Sequence, residues 1–555
     1  MIEAKTPPNV KVSAGSQRAS TNVSSRVERF SDFPVYDELS IGLFSLVTIV
    51  RNVTAINFVE NDSRVRITSL LESVTVPMTF AVRGGDRVAA FGILPPPAVA
   101  FGGGQRELFT DATSLLDNSV SGSGLSMKEE NYWLGTTAIP RSDPSRALPA
   151  SVDVAVIGSG VTGLSAARVL GKRGVRTAVL EAKTFGWGAS SRNGGMVLTG
   201  MKLPVPTLIS RYGRERVRRM YAASLASIDC VEQIVREESI ECDFGRCGHL
   251  EVACKPAHFD AYAKSAELVE KEFNHKLRIV PKASLREEIG SDIYHGGLVD
   301  ELSAGLNPAR YVCGLAAAAE RAGAAMFDHT PVTGVERISQ HDKCFRVSTL
   351  KGSLTARELL IATGAYTTDA TPALQRKIIP IGSYIIASEV LSDSVAHELS
   401  PKNRMIYDSK HFLYYFRLAP DRRMLFGGRA AFFPESENTV RESAEILRRG
   451  MIQVFPLLRN VKVEFVWGGT LDFAFDVMPH TGRSAGMYYA AGYAGHGVAI
   501  GTYLGTKIAG VICGEPHDIP FDGIPFPTPP FGLRGGHTWA LPLAGAYYKF
   551  LDWVS

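Results

Sequence analysis

Glycines at 158, 160 and 163 and a carboxylate at 181 set the first chemical constraint in this chain. The run Gly158-Ser159-Gly160-Val161-Thr162-Gly163 follows an apolar, β-branched stretch at 152–157 and opens a segment of helical spacing at 162–172. A second apolar stretch at 177–180 then ends in Glu181 and Ala182. This order is the sequence form of a strand, glycine turn, helix and strand. Each residue type has a mechanical role: Gly158 permits the tight turn, Gly160 lets the backbone approach a pyrophosphate, and Gly163 lets the helix lie close to the sheet. Exposed N–H groups from Ser159 to Thr162, at the positive end of the helix, suit a diphosphate. Glu181, 21 residues after Gly160, can accept hydrogen bonds from ribose hydroxyls. Its charge repels a 2′-phosphate and so argues against NADP. The motif implies a dinucleotide and leaves NAD and FAD both open.

The next segment carries a family resemblance. Gly188-Ala189-Ser190-Ser191-Arg192-Asn193-Gly194-Gly195-Met196 resembles the GASxRNGG segment of the D-amino-acid oxidase and glycine oxidase superfamily. In that superfamily the segment wraps the pyrophosphate and flavin of FAD. The resemblance therefore implies that Ser190, Arg192, Asn193, Gly194 and Gly195 touch FAD. Leu360-Ile361-Ala362-Thr363-Gly364-Ala365 resembles the family's ATG turn and implies cofactor contacts at Thr363 and Gly364. Thr330-Pro331-Val332 fits its adenine-side strand, with Val332 as the contact. Gly492-Tyr493-Ala494-Gly495-His496-Gly497-Val498 resembles the C-terminal GYxGHG motif, which faces the flavin pyrimidine edge. Gly492, Gly495, His496, Gly497 and Val498 are the expected contacts there. A helix N-terminus at this edge would stabilise the negative charge that builds at N1 and O2 on reduction. For His496, ordering the turn and acting as a base both stay open.

Over residues 150–552 the chain resembles the gamma-glutamylputrescine oxidase type of amine oxidoreductase. Glu241-Cys242-Asp243-Phe244, Leu413-Tyr414-Tyr415-Phe416-Arg417-Leu418, Leu425-Phe426-Gly427-Gly428-Arg429 and Met478-Pro479-His480-Thr481-Gly482-Arg483 carry this part of the likeness. It implies hydride transfer from the carbon alpha to a neutral amine onto flavin N5, then imine hydrolysis. The flavin supplies the chemistry, so no conspicuous side-chain dyad is expected and no catalytic residue is assigned. Tyr384, His411, Tyr414, Tyr415 and Arg429 fall on segments expected to face the flavin and a small amine or amino-acid substrate, and Arg429 could pair bidentately with a carboxylate. Sarcosine-oxidase relatives place a lysine near the glycine pair of this strand; residues 424–429 contain none, so oxygen and a quinone both stand as electron acceptors. No cysteine occurs at 467–470, where some relatives attach the flavin, which implies non-covalent FAD. A D-amino-acid dehydrogenase or oxidase, and a flavin-binding protein without turnover, are the competing readings.

The elements that must position these residues read as an α/β chain. A Rossmann-like FAD-binding domain is expected from discontinuous segments at 151–234, 296–374 and 466–520. An α+β substrate domain with an antiparallel sheet is expected at 235–295 and 375–465. Helices are expected near 216–238 and 257–273, a hairpin around Lys351-Gly352, a last strand at 487–491, and a helix from about 497 to 513. A lead segment (127–150) and a C-terminal tail (521–555) flank them. Residues 1–126 look different, with Ser- and Gly-rich runs and Pro95-Pro96-Pro97. They are expected to be a poorly ordered extension, or to lie upstream of a native start at Met127.

Bulk properties narrow the class. With 555 residues, 45% hydrophobic, the chain can bury two or three cores, and a net charge of +4 gives no reason to invoke nucleic acid or a membrane surface. The seven cysteines form no C-x-x-C pair, and the spacing of Cys242, Cys247 and Cys254 fits no common zinc pattern, so no metal is expected. The apolar stretch at 41–58 is interrupted by Arg51 and Asn52, so stable membrane insertion is not expected. No apolar signal segment opens the chain, and a cytoplasmic location is the expectation.

Overall fold

The computed structural model describes residues 127–338, 344–431 and 437–529, together with three short antiparallel strands at Ile56–Asn57, Arg64–Ile67 and Thr79–Ala81. All of these fall in one compact unit, Asp37–Ser555. The expectations for the rest of 1–126 and for residues beyond 529 lie outside the described residues.

Two sheets carry the architecture. The first is built on Ser151–Ile157, whose Val, Ala and Ile side chains are buried along most of its length. A strand buried on both faces needs such a run, because helices cover each side of a parallel sheet. Thr177–Leu180 pairs parallel to it on one side and Gly352–Ile361 on the other. Ala325–Phe327 extends the first flank, and Met487–Ala491 adds in parallel to the end of Gly352–Ile361. The other half of that long strand turns back antiparallel through Phe345–Thr349 and Val332–Arg337, with Thr349 opposite Gly352 as the hairpin at Lys351-Gly352 requires.

Three helices cover one face. Val161–Lys172 packs between Gly497–Ile512 and Pro308–Arg321. The first pair is very close: a Cβ on Gly505 would lie 2.1 Å from the Thr162 carbonyl oxygen. Only glycine allows that approach. It fixes the N-terminus of one helix against the flank of the other.

The second sheet runs in the order Val463–Ala474, Ile378–Val390, Arg423–Ala431, Tyr415–Leu418, Met405–Asp408, His249–Val252, Gly296–Asp300 and Arg278–Pro281. All neighbours are antiparallel except the parallel pair Met405–Asp408 and His249–Val252. Its strands cross two of the expected joints. Gly296–Asp300 belongs here, because His249 pairs with Asp300 in register, and Val463–Ala474 carries this sheet past residue 465.

One face of the second sheet buries Leu250, Ile406, Phe416, Phe426, Tyr384, Ile386 and Val466 in a core that includes Leu447 and Met451 of the helix Glu437–Val454. Alternation along each strand then commits the neighbouring residues to the opposite face. Among the described residues no helix is long and apolar enough to cross a membrane.

Candidate functional site

The site begins where Ser151–Ile157 ends. Gly158 has φ +101°, and a Cβ there would meet the Ala362 carbonyl oxygen at 2.6 Å. A Cβ on Gly163 would stand 2.0 Å from the Gly158 oxygen. A Cβ on Gly160 would meet Ser190 Oγ at 2.8 Å, and that same hydroxyl accepts from Val161 N at 3.1 Å. The turn therefore leaves a backbone-lined cradle under the positive end of Val161–Lys172. Glu181 closes one side: its Oε2 accepts from Ser159 N at 2.9 Å and Ser159 Oγ at 2.7 Å, and its Oε1 accepts from Lys183 N at 2.9 Å. Ala182, next to it, is exposed.

The segment after Trp187 is locked by its own side chains. Asn193 Nδ2 donates to the carbonyls of Ala189 and Ser190, both at 3.0 Å, while its Oδ1 accepts from Gly195 N at 2.8 Å. Arg192 donates to Trp187 O at 2.8 Å and Gly468 O at 3.1 Å and lies over the Trp187 ring. The side chains of Arg192 and Asn193 thus shape the loop, and the backbone and small residues are left to line the cradle.

Four residues that the sequence did not single out pin this loop from outside. Trp467 Nε1 donates to Arg192 O and Trp133 Nε1 to Asn193 O, both at 2.9 Å. Asn131 Nδ2 donates to Ser191 O at 2.9 Å. Arg417, buried, donates from Nη1 to Gly195 O at 3.1 Å and Leu306 O at 3.0 Å, and desolvation lowers its pKa. The lead segment is therefore part of the site: Lys128 also bridges to the second sheet through Glu464 O and Val466 N.

The third wall comes from the C-terminal half. Gly492 has φ +84° and donates its N–H to Asp472 Oδ2 at 2.8 Å; the same carboxyl faces Gly364 across the turn that follows Gly352–Ile361. Burial pushes the Asp472 carboxyl up to about 7, against hydrogen bonds from backbone N–H groups that favour its charge. Thr363 Oγ1 lies 2.7 Å from Thr367 Oγ1, and Val332 opens the outer strand of the hairpin meander. Gly495 is exposed at the crest of the turn. His496 caps the helix that starts at Gly497, with Val498 buried behind it. Burial, with Lys202 and His249 nearby, holds the His496 imidazole down to about 3.

Opposite this cradle stands the second sheet, on the face turned away from its core. Tyr415 belongs there: a Cβ on Gly194 would meet its ring at 3.2 Å, and its hydroxyl lies 3.1 Å from Ser383 Oγ. Two expected substrate contacts are corrected by strand parity. Tyr384 is fully buried in the core beneath the opposite face, with Ile386 and Phe426. Tyr414 packs on that side too, its ring 4.9 Å from Phe426 and against Gly450 of the covering helix. His411 is exposed on the turn before Tyr415–Leu418. Arg429 lies on Arg423–Ala431, and its side chain is outside the described residues.

The residues present fit FAD. The cradle at Gly158, Gly160 and Gly163 is one that added Cβ atoms would crowd, as close approach of a pyrophosphate requires. Two polar atoms at its walls, Ser191 Oγ and His496 Nδ1, are buried with no hydrogen-bond partner among the described residues. A buried polar atom in that condition calls for a partner from outside the chain.

Residues 153–510 match a family model described as DAO: FAD dependent oxidoreductase. The probable oxidoreductase OrdL of Haemophilus influenzae is 34% identical over 408 residues, covering 72% of this chain and 92% of that protein. Gamma-glutamylputrescine oxidoreductase of Escherichia coli is 31% identical over 405 residues, with the same coverage, 72% and 92%. Among solved structures, glycine oxidase from Geobacillus kaustophilus superposes with a TM-score of 0.58 at 19% identity, over 69% of this chain and 99% of that one.

Proposed function

Because this chain belongs to the DAO family of FAD-dependent oxidoreductases, we propose that it oxidises a C–N bond of a small amine or amino acid, in the manner of gamma-glutamylputrescine oxidoreductase. The observation that carries this reading is the polar face of the second sheet, on which Glu251, Tyr407 and Tyr415 are register partners and Tyr415 meets Gly194 of the loop after Trp187. Bound FAD supplies a two-electron acceptor for the hydride of the carbon that bears the nitrogen.

The chain's own residues supply binding, orientation and charge. Gly158 to Gly163 and Glu181 hold the dinucleotide end. Tyr415 and Gly194 bring the sheet face against the loop that would hold the cofactor. The N–H groups at the start of Gly497–Ile512 would present positive charge to the flavin and favour its reduced, negatively charged form. His496, neutral across the physiological range, is a poor base and serves as a hydrogen-bonding partner in that wall. The amine reaches the site neutral, or loses its proton to water on entry. FAD is held without a covalent bond, and the reoxidant is oxygen or a quinone.

An anaerobic screen tests the reading. Purified yellow protein is mixed with polyamines, gamma-glutamyl amines, N-methyl amino acids and D-amino acids, and the visible flavin band is followed. Bleaching by one class identifies the substrate. Colour that survives every amine would leave a flavin-binding protein without turnover.

A further inference from the structure

Three consecutive carbonyls in the loop after Trp187 each accept from a side chain of a distant segment. Ser191 O takes Asn131 Nδ2, Arg192 O takes Trp467 Nε1 and Asn193 O takes Trp133 Nε1, all at 2.9 Å. Two of these donors stand in the lead segment and one on a strand of the second sheet. Both tryptophans are buried, and an indole carries a single N–H, so each is committed to its one carbonyl.

These contacts also orient the other side of the chain. A trans peptide unit is planar, and its C=O and N–H point in opposite directions. Among the described residues no peptide bond is cis. Holding Arg192 O on Trp467 therefore turns the Asn193 N–H away from that indole, and holding Asn193 O on Trp133 turns the Gly194 N–H away from the other. The peptide before them differs, because its Arg192 N–H already donates to Ala189 O at 3.2 Å. The Asn193 and Gly194 amides have no acceptor among the described residues, and Ser191 Oγ beside them is buried without a partner. The segment is joined to the glycine cradle through Ser190 Oγ, which accepts from Val161 N. Its unmet hydrogen-bonding groups thus await a ligand at that place.

We propose that Trp133 and Trp467 are positioning residues that aim the Asn193 and Gly194 amides at the isoalloxazine ring of FAD and so raise its reduction potential. The inference needs the cofactor that family membership implies and no particular substrate.

The choice of side chain supports it. An indole N–H donates and cannot accept, so it holds a carbonyl but gives nothing to an amide that swings round in its place. A flipped peptide would leave a buried indole donor unpaired. The carbonyls are thereby kept off the ring, and the N–H dipoles stay fixed where reduction adds negative charge. Asn131, whose side chain both donates and accepts, serves the one peptide whose N–H is fixed by another partner.

The test uses the FAD-loaded full chain with FAD in excess and no amine present. Its midpoint potential is measured against a reference dye during slow chemical reduction. Trp133→benzothienylalanine and Trp467→benzothienylalanine replace the indole N–H by sulfur and keep the packing; Trp133→Phe and Trp467→Phe are the simpler counterparts. Each should lower the ratio of reduced to oxidised flavin at a fixed potential by about three- to tenfold, a fall in midpoint of about 15–30 mV for a two-electron couple. A role in packing alone would weaken the binding of oxidised and reduced FAD alike, moving Tm and the dissociation constant but not the midpoint. Asn131→Ser, which keeps an acceptor for Trp133 N, should weaken FAD binding with the midpoint unmoved. An unmoved or raised midpoint in either benzothienylalanine variant would overturn the proposal, and so would an equal fall in Asn131→Ser.

Discussion

The guanidinium of Arg417, on a strand of the second sheet, donates to the carbonyl of Gly195, 222 residues earlier in the chain and in the loop after Trp187. The same group reaches Leu306 O and, through Nε, Leu418 O. One buried cation thus collects three carbonyls from three segments. Arg417→Met keeps much of the length and removes every donor. Two buried carbonyls outside its own strand lose a charged partner, a loss of about 2–4 kcal/mol. Thermal unfolding should fall accordingly, and FAD should dissociate more readily in gel filtration. Arg417→Lys should recover only part, because an ammonium cannot reproduce the planar fork. Unchanged FAD retention in the Met variant would show that the loop is fixed without this residue.

Gly160 and Gly163 separate binding from folding. A methyl at 163 would stand 2.0 Å from the Gly158 oxygen, a rigid backbone atom, so Gly163→Ala must push the helix off the sheet. The expected cost is about 3 kcal/mol or more, with little folded protein recovered. A methyl at 160 meets Ser190 Oγ, the end of a side chain that can rotate away at a cost of about 1 kcal/mol. Gly160→Ala should therefore fold with a Tm near that of the unaltered protein, yet bind FAD weakly, because the methyl occupies the approach of the pyrophosphate. Equal losses of Tm in the two variants would contradict this division.

Asp472 and His496 should give opposite pH slopes to the stability of the flavin-free protein. The His496 imidazole takes a proton below about 6.5 when unfolded but only at about 3 when folded, so its contribution is full above the first value and is lost as pH falls. The Asp472 carboxyl protonates at about 7 when folded and near the ordinary carboxylate value when unfolded; its contribution is full at low pH and is lost as pH rises toward 7. Between pH 7 and 5 each changes stability by roughly 2 kcal/mol in opposite directions. Relative to the unaltered protein, urea unfolding of His496→Asn should gain stability on acidification, and Asp472→Asn should lose it. Parallel pH profiles for the two variants would refute the assignment.

The cradle was legible because local geometry demands particular residue types. Gly158 needs its positive φ, Gly163 its missing Cβ, and Glu181 its place at the end of the second strand. The strands Ser151–Ile157, Thr177–Leu180 and Met487–Ala491 follow from β-branched or aromatic apolar runs between glycines. The second sheet was harder. Its faces are both largely covered, so Ile378–Val390 shows no clean alternation to say which side chain meets the cofactor. Arg417, Asp472, Trp133 and Trp467 escaped notice because their partners are backbone groups distant in sequence. Glu251 carries no motif, and its place beside Tyr407 emerges only when their two strands pair. One signal was present: Tyr415 and Arg417 alternate with Phe416 and Leu418, and that parity already divides a polar face from an apolar one.

That parity yields the sharpest comparison of neighbouring aromatic residues. Tyr384 and Tyr415 stand on nearby strands of one sheet, and both lose only a hydroxyl on substitution by Phe. Tyr384 points into the core with Ile386 and Phe426, so Tyr384→Phe should alter unfolding by about 1 kcal/mol and leave amine-driven flavin reduction as it was. Tyr415 presents its ring to Gly194 and its hydroxyl to Ser383 on the opposite face. Tyr415→Phe should change the concentration dependence of flavin reduction by severalfold, with a matching shift in the visible spectrum of the bound flavin. Stopped-flow reduction across a range of amine concentrations measures both. If Tyr384→Phe perturbs the flavin spectrum and Tyr415→Phe does not, the register linking Ile378–Val390 to Arg423–Ala431 and Tyr415–Leu418 is misassigned, and the polar face lies on the other side of the sheet.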